Sequence, residues 1–328
     1  MHLSLRRAAG MAGAVLLLLS ACTTAATPSP SIASSAPSAE ASASAGASPS
    51  AAASAAQSAA AASIAPVPSG QLIFSDKLVI CSDIPYPPQE FFDASGNAIG
   101  SDIELGQEIA KRLGVTAVIQ NSVFDTIIAA LTGGKCDIII SAQNITASRI
   151  KQVDMIPFFQ AGQSFVVATG NPAGIKTQND LCGKKIAAEA GTTEVDYLNG
   201  SGDYAGQGLS AACTKAGKPA INVKTFGKDS DALLALQASQ VDAYFADSPV
   251  AGYYTVQHPD QFALSGVELG VALEGISVAK TNTGLRDSVQ QALVSMVDDG
   301  TYLAILKKYG DDSGAITSDV VKQLNKTK

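Results

Sequence analysis

The chain has 328 residues, with 29 acidic against 22 basic side chains and a formal net charge of −7. No run of lysine or arginine tracks a phosphate backbone, so nucleic acid is excluded as a partner. Five cysteines and two histidines show no metal-ligand spacing, so neither a metal nor another cofactor is expected.

In chain order, Arg6 and Arg7 precede an apolar run over residues 8–19, too short to span a bilayer comfortably and flanked as an export signal is. It ends in Leu19-Ser20-Ala21-Cys22, which resembles the bacterial lipoprotein processing box; residues 1–22 are therefore expected to be a signal peptide and Cys22 the lipidated residue. Residues 23–70 are almost entirely alanine, serine, proline, threonine and glycine, with one charge, Glu40. They have little to bury and are expected to form a disordered tether. No later stretch reaches transmembrane length, so the membrane link is expected to be the lipid alone.

From residue 71 short apolar runs alternate with helical periodicity. Strands are predicted at 78–82, 115–120 and 137–141, and helices at 102–113 and 124–131. This alternation is that of a parallel sheet covered by helices, where ligands gather at the carboxyl ends of strands; Asp83 and Ser141 stand at two such ends. The segment 137–149 combines a buried strand, a helix-start pattern at Thr146-Ala147-Ser148 and then Arg149, whose planar fork matches a carboxylate.

The pattern then repeats. An extended piece at 164–168, strands at 184–189, 223–225 and 243–246, and helices after Gly191-Thr192-Thr193 and at 229–238 and 250–258 form a second unit; a strand at 275–279 and helices at 285–297 and 302–309 return to the first. The expected division is residues 71–163 with 275–328 as lobe 1 and 164–274 as lobe 2, with a cleft between. The four remaining cysteines suit an oxidising compartment. Cys182 and Cys213, both in loop-like settings, are expected to pair; Cys81 and Cys136 fall near opposite ends of two strands that could be neighbours, and whether they are bridged is left open by the sequence.

The order and spacing of LVICSDIPYPPQEF, DASGNAIGSDIELGQEIAKRLGV, VFDTIIAALTGGKCDIII, NITASRIKQVDMIPFF, LCGKKIAAEAGTTEVDYL, DALLALQASQVDAYFADSPV and DGTYLAILKKYG resemble the family 3 extracellular solute-binding proteins. The resemblance implies an α/β, two-lobed, venus-flytrap (type II) fold with hinge crossings near residues 161–168 and 269–277. It further implies an extracytoplasmic, monomeric amino acid receptor that serves the permease and ATPase of an ABC importer, here tethered by lipid to the outer face of the cell membrane. Arg149 matches the carboxylate-binding arginine, helped by the Ala142 N–H and Asn144, and Ser141 at its strand end is expected to join the ligand contacts; Asp247 matches the ammonium-binding aspartate on the other lobe. Thr192 and Thr193 match a turn that donates hydrogen bonds to ligand, and Tyr86 and Phe124 match aromatic walls. Asp83 and Glu189 match positions that touch the distal end of the ligand; two carboxylates there favour a basic amino acid first and a glutamine-like one second.

A zwitterion needs a cation for its carboxylate and an anion for its ammonium, and opposite lobes that supply one each close only around it. An enzymatic alternative also stands, because cyclohexadienyl dehydratases use this fold with a glutamate as general acid, and Glu194 follows Gly-Thr-Thr where such an acid would lie. The intact Arg149 and Asp247 pair favours a receptor, either of an importer or of a ligand-sensing system. No further catalytic module of the lytic transglycosylase kind is expected after Tyr309.

Overall fold

Two long strands carry the chain between its halves. The computed structural model describes Ile64 and residues 66–327; the expected signal peptide, Cys22 and the tether before Ile64 lie outside the described residues. The first half contains β1 (Lys77–Ser82), the short pair β2 (Phe91–Phe92) and β3 (Ala98–Ile99), α1 (Ser101–Arg112), β4 (Thr116–Asn121), α2 (Ile127–Thr132) and β5 (Ile138–Ile139). The first crossing strand, β6 (Val153–Ala168), leads to β7 (Lys185–Glu189), α3 (Thr193–Asn199), α4 (Leu209–Lys215), β8 (Asn222–Phe226), α5 (Asp229–Gln237), β9 (Ala243–Asp247) and α6 (Ser248–Gln257). The second, β10 (Phe262–Ala279), returns to α7 (Thr283–Asp298), α8 (Thr301–Tyr309) and α9 (Ser318–Val321).

One eight-stranded sheet results, in the order β4-β1-β5-β10-β6-β9-β7-β8. β1 is parallel to β4 and β5, and β7 is parallel to β8 and β9, while β6 and β10 run antiparallel to each other through the middle. Three register shifts along β10 let it serve both halves.

The core follows from side-chain direction. In the first lobe, α1 buries Ile103, Leu105, Ile109 and Ala110, positions spaced to one helical face. Leu105, Ile109 and Ala110 join a core that includes Ile80, Ile138, Phe158, Ile276 and Leu293. In the second lobe successive strand residues alternate between two faces: Phe165, Ile186 and Phe245 pack on one side, Val166, Ala187 and Tyr244 on the other.

Several expectations are corrected here. Residues 147–152 form turns and no helix, because the two i→i−4 bonds, Ile150 N–H to Thr146 O and Val153 N–H to Arg149 O, are not consecutive; Arg149 therefore does not stand at a helix N-terminus. The helix expected at 124–131 begins as a 3-10 turn, Phe124–Thr126, and becomes α-helical only at Ile127. Asp137 lies outside the strand; its carboxylate accepts the Ile73 and Val79 N–H groups at 2.8 and 2.7 Å. The tether expected up to residue 70 is already packed at its end, since Ile64 and Val67, its large branched side chains, rest against the first core.

Cys213 sits in α4 rather than a loop, and it is bonded to Cys182. Cys81 and Cys136 are also bonded, with Cα atoms 5.8 Å apart. Cys136 precedes β5 and is free of its register, which brings it closer to Cys81 than strand pairing would. Replacing Cys182 and Cys213 together by serine is expected to lower the unfolding free energy by about 2 to 4 kcal/mol, mainly by freeing the unfolded chain. Urea unfolding measures it; an unchanged midpoint would mean that the bridge adds nothing.

Candidate functional site

The carboxyl ends of β1, β7 and β9 converge on one narrow cavity between the lobes. Its wall includes Asp83, Tyr86, Phe124, Ser141, Ala142, Asn144, Glu189, Thr192, Thr193 and Asp247, ten of the eleven residues singled out for ligand contact, together with Glu90 and Glu194. Arg149, the eleventh, is buried beside it.

Burial and local bonding fix each group. In the first lobe, the Asp83 N–H donates to Ser141 Oγ at 2.8 Å, and Ser141 in turn donates to Glu90 Oε1 at 2.8 Å, so the serine is spent on positioning. The Ala142 N–H, expected to help bind a carboxylate, instead donates to Asp102 at 2.9 Å, with Ala142 held at φ 43°. Arg149 is 8 % exposed. Its Nη1 donates to Asn144 O at 2.9 Å, its Nη2 to Gly191 O on the other lobe at 3.1 Å, and its guanidinium lies 5.3 Å from the Phe124 ring centroid.

From the second lobe, Thr192 caps α3, donating to Glu189 O at 2.8 Å and facing the Val195 N–H. Thr193 Oγ1 donates to Asn144 Oδ1 across the cleft at 2.5 Å and accepts from Gln163 of β6 at 2.9 Å; Gln163 also donates to Glu194 at 2.8 Å. Tyr86 hydroxyl donates to Asp247 Oδ2 and accepts the Asp247 N–H, both at 3.0 Å, again between lobes. Gly191 has φ +79°, and a Cβ there would lie 2.7 Å from Asp125 Cα of the first lobe; the lobes meet this closely only because the residue is glycine.

Few cations balance these acids. Burial raises the carboxyls of Asp247 and Glu194, Glu194 adds to the shift of Asp247, and Arg149 opposes both. Burial, then the neighbouring Asp83, pushes Glu189 up to about 11, and its Oε1 has no hydrogen-bond partner among the described residues. Burial also raises Glu90 on the wall and Glu274 behind it well above the carboxylate range, and Asp102 to about 7. Asp83 pairs with Lys228, whose ammonium also faces Ser122 O at 3.3 Å and Ile84 O at 3.4 Å.

Sequence reasoning did not single out Lys228, Asp229, Gln163, Glu90 or Glu274. Lys228 was within reach of it: the lysine follows the end of β8, the same kind of position that singled out Asp83, Glu189 and Asp247.

Two lobes bridged by two strands, with buried charged groups meeting between them, define a two-lobed binding protein of the periplasmic type. The chain belongs to the bacterial extracellular solute-binding proteins, family 3, whose profile matches residues 78–312. It is 28% identical over 225 residues to the L-cystine-binding protein TcyJ of Escherichia coli (strain K12), covering 68% of this chain and 79% of that one. It is 28% identical over 232 residues to the same organism's ABC transporter arginine-binding protein 1, covering 67% and 85%. Among solved structures, an ancestral arginine-binding protein bound to glutamine matches with TM-score 0.63 and 35% identity, over 72% of this chain and 98% of that one. The ancestral amino acid-binding protein AncCDT-1, a precursor of cyclohexadienyl dehydratase, matches with TM-score 0.60 and 31% identity, over 71% and 95%.

Proposed function

We propose that this chain is the extracytoplasmic amino acid receptor of an ABC importer, held to the outer face of the cell membrane through Cys22 and working as a monomer that hands its ligand to a permease driven by an ATPase. The observation that carries the reading is the meeting of Arg149 from the first lobe and Asp247 from the second in one buried site. The relatives named for cystine and arginine, and the structure holding glutamine, point to the same ligand class. An ammonium brought against Asp247 favours its ionised form, which burial otherwise opposes, and a carboxylate does the converse service for Arg149. A ligand with both charges thus stabilises the closed cleft, and one lobe alone leaves half of it unpaired.

Calorimetric titration of the purified chain with the proteinogenic amino acids and cystine is expected to show one tight ligand at a stoichiometry of one. No heat with any of them would overturn the reading.

One observation favours a second reading. Glu194, on the cavity wall with its carboxyl raised by burial, is placed to act as a general acid, and AncCDT-1 is a dehydratase precursor. Turnover of prephenate or arogenate by the purified chain would establish it; binding without turnover leaves the receptor.

A further inference from the structure

If Arg149 and Asp247 take the ligand's carboxylate and ammonium, the other charged groups at the cavity meet its side chain. This step rests on the receptor reading. Besides Glu90, which accepts from Ser141, and Glu194, which accepts from Gln163, those groups are Asp83 and Glu189 on the wall and Lys228, which is bound to Asp83. Lys228 belongs to the second lobe, between β8 and α5, yet each acceptor of its ammonium (the Asp83 carboxylate, Ser122 O and Ile84 O) lies on the first. The second oxygen of Asp83 takes the Phe124 N–H at 3.2 Å, so both of its oxygens are engaged. The carboxylate that sequence reasoning assigned to a cationic side chain already holds a cation from the protein itself.

We propose that Lys228 is a specificity-determining residue: its ammonium fills the cation seat on Asp83, so the site selects an amino acid with a net-neutral polar side chain, above all a primary amide, over one with a guanidinium or ammonium. A second positive charge would have to enter beside Lys228 in a water-poor cavity, where like charges are costly, or displace the lysine and with it a link between the lobes. Glu189 supplies the complementary half. It is buried, and its Oε1 is without a partner among the described residues. In the protonated form that burial and Asp83 favour, its carboxyl both donates and accepts, as the oxygen and nitrogen of an amide require.

The test is calorimetric titration of the purified wild type and the variants Lys228→Met and Lys228→Arg with cationic amino acids (L-arginine, L-lysine) and net-neutral polar ones (L-glutamine, L-asparagine, L-citrulline, L-cystine). The wild type is expected to bind its best net-neutral ligand about tenfold or more tighter than either cationic one. Lys228→Met frees Asp83 and should shift that ratio toward the cationic ligands by about tenfold or more, whereas Lys228→Arg keeps a cation in place and should preserve the wild-type order. A wild type that binds arginine or lysine tightest, or a ratio unchanged in Lys228→Met, overturns the proposal while leaving the receptor reading intact. Failure to bind any amino acid removes the receptor reading and this inference with it.

Discussion

Replacing Arg149 by alanine is expected to weaken amino acid binding by about 2 to 5 kcal/mol, because truncating one member of a desolvated charge pair also strands the other. The geometry divides that loss into two parts. The guanidinium spends two donors on the carbonyls of Asn144 and Gly191, one on each lobe, and keeps three N–H groups for a ligand carboxylate. Alanine removes the carboxylate partner and also unties a contact that holds the lobes together. Arg149→Lys retains the charge without the fork and should fall between wild type and alanine. Calorimetry measures the binding loss, and urea unfolding without ligand isolates the part due to packing. An unchanged dissociation constant in Arg149→Ala would remove the arginine from the site.

The cavity wall is legible in the sequence wherever a polar residue directly follows a buried strand. Asp83, Glu189 and Asp247 each follow or end an apolar run, and the strand-end rule of α/β sheets is enough to place them at the cleft. The covering helices are legible for a similar reason: α1 carries its apolar residues on one face, and a 3.6-residue period has no other reading.

Contacts between distant segments are hidden. The place of Lys228 after β8 marks it as a strand-end residue, but nothing local in Phe226-Gly227-Lys228 shows that it reaches across the cleft to Asp83. The direction of the Ala142 N–H depends on Asp102, forty residues earlier. Thr146-Ala147-Ser148 signals a helix start as readily as the turn that forms, because threonine and serine favour both through the same side-chain-to-backbone bonds. β6 and β10 exceed the extended stretches predicted because their central residues, Gln160, Gln163 and Glu274 among them, are polar and break the apolar run; the ladder between the two strands keeps them extended. Polar residues in a buried strand carry no simple periodic signal, and here they form the hinge side of the site.

The many buried carboxyls also set how stability depends on pH. Asp229, at the start of α5, is buried with one oxygen accepting the Tyr244 hydroxyl and the other unpartnered among the described residues. Burial raises it from 3.8 to about 8, Glu194 and Asp83 add to the shift, and the Tyr244 bond opposes it. A carboxyl in the unfolded chain loses its proton near pH 4, so between about 4 and 8 the folded chain binds the proton more strongly. The resulting stability is fully present below the unfolded value and is lost as pH rises through the folded one. Asp311, raised to about 6, and Asp102, raised to about 7, act in the same direction within that window. Asp299, lowered to about 2 beside Arg112, acts in the opposite direction, but its window closes near pH 4. At about 1.4 kcal/mol per pK unit, Asp229 alone accounts for several kcal/mol. The chain is therefore expected to resist urea better at pH 5 than at pH 8. Asp229→Asn keeps an acceptor for Tyr244 and has no charge to bury, so it should stabilise the protein by about 2 kcal/mol or more at pH 8 and change little at pH 5. Equal stability at both pH values, or a variant weakened at pH 8, would show that Asp229 is ionised in the folded chain.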